Sequence, residues 1–343
     1  MDDSVDQILS EYKALQHWER REYKAALEHA AAAAEKALTK ADTIGYLRMA
    51  LLLAECQLEL GQMQEFAASA KELSEHPALQ DDARILVRAK VLYSRALEAL
   101  GHISEALALA EEAAAMNVAP TLDPVAKLGM LHGLVAALTE SSREVEAWKY
   151  AKEMALLAAE QDDQEVAGKA YWAVGIVAFL LNDAENGIYY HRLAADNLAP
   201  GNDVNTWAMF NKSSALARLS AGIVEPETLA CIERAELAMS VTGVSPLQEL
   251  EISIARAHWL LLAGGADESV ARLQRILEQR ELLPEHTLAE VEYVAALALH
   301  ELGRNDEALV AAVHSEKVFI GHGSRRRALE ARSVIDSIAR SGQ

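Results

Sequence analysis

The sequence contains few of the residues that disulfide-rich, zinc-binding and β-rich proteins need. Its 343 residues include only two cysteines, seven prolines and 5% aromatic residues. Neither Cys56 nor Cys231 belongs to a C-x-x-C pair, so we expect no disulfide framework and no structural zinc site, and a reducing cytoplasm fits. Strands favour aromatic and β-branched residues, so this composition also argues against a β-rich fold.

Positive charge and long apolar runs are also scarce. The formal net charge is −20, which argues against a nucleic-acid partner because phosphate binding needs clustered Lys and Arg. The one basic run, Arg-Arg-Arg at 325–327, begins the last predicted helix and is interpreted as a solvent-facing surface. The apolar run 173–181 is too short to span a bilayer, and the acidic N-terminus has no signal-peptide character. We therefore expect a cytoplasmic protein without a membrane partner.

What the sequence does contain is a repeat. The pattern Leu-Gly-x-x-x-Glu-Ala-Leu occurs at 100–107 and at 302–309. In both copies the glycine lies between two helical stretches, where the residue just after a helix adopts a positive φ. The repeat position that follows the glutamate in these two copies is occupied along the chain by Ala26, Phe66, Ala106, Ala147, Gly187, Thr228, Ser269 and Ala308. These positions lie 39 to 41 residues apart, and a fixed period of this size indicates a solenoid.

The period predicts an all-α fold, a right-handed α-solenoid of eight antiparallel helix pairs closed by a C-terminal capping helix. We expect one repeat domain over residues 1–343. The predicted repeats are 4–38, 43–75, 79–117, 122–160, 163–198, 203–241, 246–281 and 286–319, and the cap is 324–340. All prolines fall between these helices or in a first turn, where proline is tolerated.

The Leu-Gly-x-x-x-Glu-Ala-Leu motif, preceded by a small residue at Ser94 or Ala296, resembles the tetratricopeptide repeat over residues 4–320. The sixth pair departs most, because 221–226 shifts the register. The repeat is longer than the usual length of about 34 residues. In this it resembles the superhelical region of maltose-regulon-type bacterial activators and the repeat domains of bacterial peptide-pheromone receptors. HEAT-type arrays share the period, but the small-residue and Leu-Gly signature favours the tetratricopeptide kind.

No motif for catalysis is present. The sequence contains no H-E-x-x-H, no G-x-S-x-G and no nucleotide-binding glycine loop. The glycine-rich 321–324 segment is interpreted as a helix end followed by an N-cap. We therefore expect no enzyme activity, no cofactor and no metal site.

Candidate partner-binding residues come from two sources. Half of the aromatic residues lie between 148 and 210, and most asparagines lie between 182 and 211. The resemblance implies that the first helix of each pair lines the concave side of the array. The predicted peptide- or partner-binding residues are Arg95, His132, Lys169, Trp172, Phe179, Asn205, Asn211 and His258. The alternative is structural: aromatics fill space between helices, and asparagines cap them.

The leading functional hypothesis is a non-enzymatic scaffold that holds a peptide or protein segment in its concave groove. The alternative is a ligand- or peptide-sensing module that acts on a transcription regulator in trans. A helical-bundle, phosphatase-like enzyme is a third and weaker hypothesis. The terminal helices leave both a monomer and a homodimer open.

Overall fold

The computed structural model describes residues 3–116, 122–243, 246–322 and 324–341. Within these ranges there are seventeen α-helices, short 3₁₀ turns at Pro77–Asp81 and Arg280–Leu282, and no strand. The helices are α1 Asp3–Glu19, α2 Tyr23–Thr39, α3 Thr43–Glu59, α4 Met63–Ser74, α5 Ala83–Ala99, α6 Ile103–Ala115, α7 Pro124–Glu140, α8 Glu144–Ala158, α9 Gln164–Leu180, α10 Ala184–Asn197, α11 Val204–Ser220, α12 Pro226–Thr242, α13 Pro246–Leu262, α14 Ala266–Leu277, α15 Glu285–Glu301, α16 Asn305–Gly321 and α17 Arg325–Ser341.

The chain packs as two compact units, Met1–Leu181 and Asn182–Gln343. In unit 1 every helix from α1 to α9 packs against the next one in sequence. In unit 2 the same holds from α11 to α17. The all-α helical repeat predicted from the sequence is therefore confirmed, whereas the single domain over 1–343 stays a prediction.

A second set of contacts joins alternate helices. The first helices of neighbouring pairs lie side by side, as α3–α5–α7–α9 in unit 1 and as α11–α13–α15 in unit 2, where α17 continues the row. In each unit these helices form one face, which we call the first-helix face. Over the described residues, no helix combines the length and apolar character that crossing a membrane requires.

The predicted helices are all present, and their ends differ from the predictions by a few residues. The largest difference at a helix start is at α5, which begins at Ala83 instead of 79. A 3₁₀ turn precedes α5, and the Asp82 carboxylate then accepts the backbone N–H groups of Arg84 and Ile85, which defines the N-cap. The predicted end of the third repeat, at residue 117, lies outside the described residues.

The Leu-Gly motif ends the first helix of a pair as the sequence predicts. Gly101 and Gly303 have φ values of 82° and 73°. In the first copy the His102 N–H donates to the Leu97 carbonyl at 2.8 Å and the Gly101 N–H donates to the Glu98 carbonyl at 2.9 Å. This pair of bonds is a Schellman C-cap. The motif therefore marks the turn that reverses the chain within each of these two pairs.

The repeated small residue lies where the two helices of a pair are closest. Ala106 and Ala308 are 0% exposed. The buried Ser94 hydroxyl on α5 donates to the Ala106 carbonyl oxygen on α6 at 2.7 Å. Phe66 and Thr228, which are larger, are also 0% exposed at this register, so every repeat keeps a buried residue there even where it is not small.

The same chemical change should have opposite effects at two glycines. Gly303→Ala places a side chain at positive φ and should lower the free energy of unfolding by about 1 kcal/mol. Gly129→Ala, in the exposed interior of α7 where a Cβ meets nothing, should raise it by about 0.5–1 kcal/mol. Urea denaturation followed by circular dichroism measures both. Equal effects of the two changes would contradict the turn geometry.

Candidate binding cavities

Two adjoining cavities open on the first-helix face of unit 1. The first, of about 310 Å³, lies among α3, α5 and α7, and the second, of about 450 Å³, lies beside it. Arg95 and His132 line both of them. We call the combined surface the Arg95 cavity; its charged and polar residues are Glu55, Arg88, Arg95, Glu98, Asp123, His132 and Glu140.

Helical spacing brings these side chains to one face. Arg88 and Arg95 are seven residues apart on α5, which is two turns. His132 and Glu140 are eight residues apart on α7, again close to two turns. α5 buries Ala89 and Ala96 among residues of α3 and α4, and it turns Arg88 and Arg95 toward the cavity.

Arg95 has no ion-pair or hydrogen-bond partner among the described residues, although other cations nearby do. The Arg88 guanidinium donates to Glu55 Oε1 at 2.9 Å. Lys169 Nζ, on α9, lies 2.7 Å from Glu165 Oε1, and Glu165 also pairs with Arg21. Of the two arginines that line the cavity, Arg95 can therefore meet an incoming anion without breaking an ion pair to a described residue.

Three glutamates of the Arg95 cavity have raised pKa values. Burial, together with the neighbouring Glu140 charge, raises the pKa of Glu98 to about 7, while Arg95 acts in the opposite direction. Burial also raises the pKa of Glu140. Burial raises the pKa of Glu55 too, and Arg88 partly offsets this. Near neutral pH, Glu98 can therefore act as a hydrogen-bond donor or as an anion.

His132 contributes a neutral ring. The ring is accessible to solvent inside the cavity. The protein atoms around it disfavour its charged form, and together with the positive charges of Arg95 and Lys169 they lower the pKa of His132 to about 4. A neutral imidazole donates one hydrogen bond and accepts another. The cavity thus combines two arginines, a neutral donor–acceptor ring and four carboxyl groups.

Unit 2 has a cavity of its own, of about 550 Å³, among α11, α13, α15 and α17. We call it the His258 cavity. Its charged or titratable lining residues are Lys212, Glu251, His258, His286, Glu290, Arg326 and Arg327. His258 is 9% exposed, and burial with the Arg327 charge lowers its pKa to about 4.

Of the predicted site residues, three line these cavities: Arg95 and His132 in unit 1, and His258 in unit 2. Phe179 is 5% exposed and Asn211 is 1% exposed, so both lie in the interior and offer little surface to a partner. The Asn211 amide donates to the Trp207 carbonyl at 2.8 Å.

Three further predicted residues lie outside the cavity walls. Trp172 is half-buried and lines neither cavity. Lys169 is paired with Glu165, as described above. Asn205 is exposed at the start of α11, where its backbone N–H donates to the Asp203 carboxylate at 2.9 Å.

Sequence reasoning missed several residues that the structure brings to the cavities. Glu98 and Glu140 gave no signal, because their proximity depends on how α5 packs beside α7. Arg326 and Arg327 lie in the run interpreted as solvent-facing. That interpretation holds for the exposed Arg325 but not for Arg327, whose side chain is only 14% exposed and pairs with Glu290.

No protein family and no curated protein sequence matches the chain. Among solved structures, the chain is similar to the apo form of RapI, with a TM-score of 0.52 and 12% identity, over 97% of this chain and 99% of that one. It is also similar to a tetratricopeptide repeat protein from Parabacteroides merdae, with a TM-score of 0.45 and 10% identity, over 85% and 98%. For the tetratricopeptide domain of P58(IPK), the TM-score is 0.31 and the identity 12%, over 98% of each chain.

These likenesses concern the fold. The match to RapI, which is a tetratricopeptide-repeat protein, covers nearly the whole length of both chains. Together with the Schellman turns and the buried register, it identifies the architecture as a helical repeat of the tetratricopeptide type, as the sequence motif predicts.

The Glu98 carboxyl should titrate near pH 7, well above its ordinary value of 4.5. Glu140→Gln should lower the pKa of Glu98, because it removes a like charge, whereas Arg95→Ala should raise it. Carbon-13 NMR of the carboxyl carbons measures both shifts.

The same shift predicts a pH effect on stability. Because the folded-state pKa is raised, ionisation of Glu98 opposes folding progressively as the pH rises from about 4.5 through 7. If Glu140→Gln and Arg95→Ala shifted the pKa of Glu98 in the same direction, this account of the cavity would be contradicted.

Proposed function

We propose that the protein is a non-enzymatic, cytoplasmic scaffold of bacterial origin that holds a peptide or protein segment against the first-helix face of unit 1. The observation that carries the proposal is Arg95, an exposed guanidinium in a cavity with no partner among the described residues. Its fork of donors matches a carboxylate, such as an acidic side chain or a chain terminus.

The cavity also supplies contacts of the other kinds that a peptide needs. Val125, which is 51% exposed, lines its wall and offers apolar surface to a side chain. The neutral His132 ring can bond to a backbone amide or carbonyl. Since Glu98 is protonated in part near neutral pH, it too can donate to a carbonyl.

The fold supports the same proposal. Repeat arrays stack units whose first helices align, which gives an extended surface on which a segment of chain can lie. The cytoplasmic location is supported by the two cysteines, Cys56 and Cys231, which are both buried and unpaired.

The test starts from a peptide selected by phage display on the immobilised wild-type protein. Arg95→Ala should weaken binding of the selected peptide at least about tenfold, because a charge-assisted hydrogen bond is lost. Fluorescence polarisation with labelled peptide measures the dissociation constant.

Arg84→Ala provides the matched control. Arg84 is an exposed arginine on the same helix that lines neither part of the Arg95 cavity, so its removal should leave the affinity within about twofold. The proposal is wrong if Arg95→Ala keeps its helical content by circular dichroism and still binds the peptide at full strength.

A further inference from the structure

The His258 cavity has a frame of ion pairs between neighbouring helices. Lys212 Nζ on α11 lies 2.6 Å from Glu251 Oε2 on α13. On the other side, the Arg327 guanidinium on α17 pairs with Glu290 on α15. Both pairs cross from one first-helix position to the next, so they fix the spacing of the helices that form the walls.

Arg327 is held from several directions. Besides Glu290, it donates to Glu330 Oε2 at 2.5 Å, and its guanidinium carbon lies 4.6 Å from the centre of the Tyr293 ring. A cation over an aromatic face is attracted by the ring. The positive charge at this wall is therefore positioned before any ligand arrives.

The lining has an excess of positive charge in a chain that is strongly acidic overall. Lys212, Arg326 and Arg327 face the cavity against the carboxylates of Glu251 and Glu290. Arg326 is the least committed of the three cations, since its ion pair with Glu330 is 3.3 Å long and its side chain is 38% exposed. Glu330 pairs with both arginines from outside the lining. The cavity wall itself presents more cations than carboxylates, which favours an anionic ligand over a cationic one.

His258 adds a polar group to the wall. Its side chain is 9% exposed, lines the cavity and makes no hydrogen bond to any described residue. A neutral imidazole has one N–H donor. An oxygen of a bound anion can accept this hydrogen bond without displacing a described partner of the ring.

Size and apolar lining limit the class of ligand. The cavity of about 550 Å³ falls within the range of about 300–1,000 Å³ that is usual for small-molecule sites. Leu216, Ile254 and Val294 contribute apolar wall, and Ser220 and Thr287 contribute hydroxyl groups. The cavity therefore suits an organic molecule with one charged group better than an inorganic ion.

We propose that the His258 cavity is a binding site for a small organic oxyanion, with its carboxylate or phosphate group between His258 and Arg326 and its organic part against Leu216. The site lies wholly in unit 2 and does not depend on the peptide surface proposed for unit 1.

Calorimetric titration of the full-length protein with phenyl phosphate and with benzoate tests the proposal, and the two probes distinguish phosphate from carboxylate. Each of two comparison ligands lacks one feature of the probes. Benzyl alcohol has a similar aromatic ring without the charge, and inorganic phosphate has the charge without an organic group. We expect at least one aromatic anion to bind saturably below about 5 mM, and both comparison ligands to bind at least about tenfold more weakly.

Two variants locate the site. Arg326→Ala and His258→Gln should each weaken the better anion at least about tenfold, whereas Arg325→Ala, next to Arg326 but outside the cavity lining, should leave its affinity unchanged. Circular dichroism checks that each variant keeps its helical content, and Arg326→Ala keeps the test valid if His258→Gln unfolds. Absence of saturable binding by both anions, or equal weakening by Arg325→Ala and Arg326→Ala, would overturn the proposal.

Discussion

The packing of the two helices of a pair through one buried position is the contact on which the other features of the structure depend. At the α5–α6 pair, Ala106 is fully buried and the Ser94 hydroxyl binds its carbonyl oxygen. A small residue lets the backbones approach closely, and the Schellman turn at Gly101 sets the reversal that brings them together. Because each pair is joined to the next in the same way, the first helices of neighbouring pairs come to lie side by side within each unit.

Side-by-side first helices bring charged residues of neighbouring repeats into contact. In unit 1, Arg48 pairs with Glu11 and Arg88 pairs with Glu55. In unit 2, Lys212 pairs with Glu251 and Arg327 pairs with Glu290. The arginines of the two pairs in unit 1 are exposed, so these pairs add little stability. All four pairs commit their charged groups to each other. Against this background Arg95, which has no partner among the described residues, and Arg326, whose pair is long, are the groups best able to receive a ligand.

The two cavities differ in their chemistry, and the difference follows from local composition. In the Arg95 cavity, carboxyl groups on adjacent helices lie close enough for Glu140 to raise the pKa of Glu98. Glu98 therefore changes from a hydrogen-bond donor to an anion near neutral pH. In the His258 cavity, cations outnumber carboxylates and the imidazole is neutral. A peptide surface in one unit and a small-anion site in the other would allow one chain to combine a scaffold with a sensor, the two functions that the sequence left as alternatives.

The sequence by itself determined the helical repeat: the period, the buried register and nearly every helix boundary can be predicted from it, because helix propensity, capping and turn glycines act over a few residues. It also predicted Arg95, His132 and His258, which line the cavities, as partner-binding residues. Only the tertiary structure decided that Phe179 and Asn211 are buried and that Arg327 lies in a cavity wall. The angular position of a helix, and therefore which of its faces stays open, is set by its neighbours in space. For the same reason the approach of Glu98 to Glu140, on helices from different repeats, leaves no trace in the local pattern.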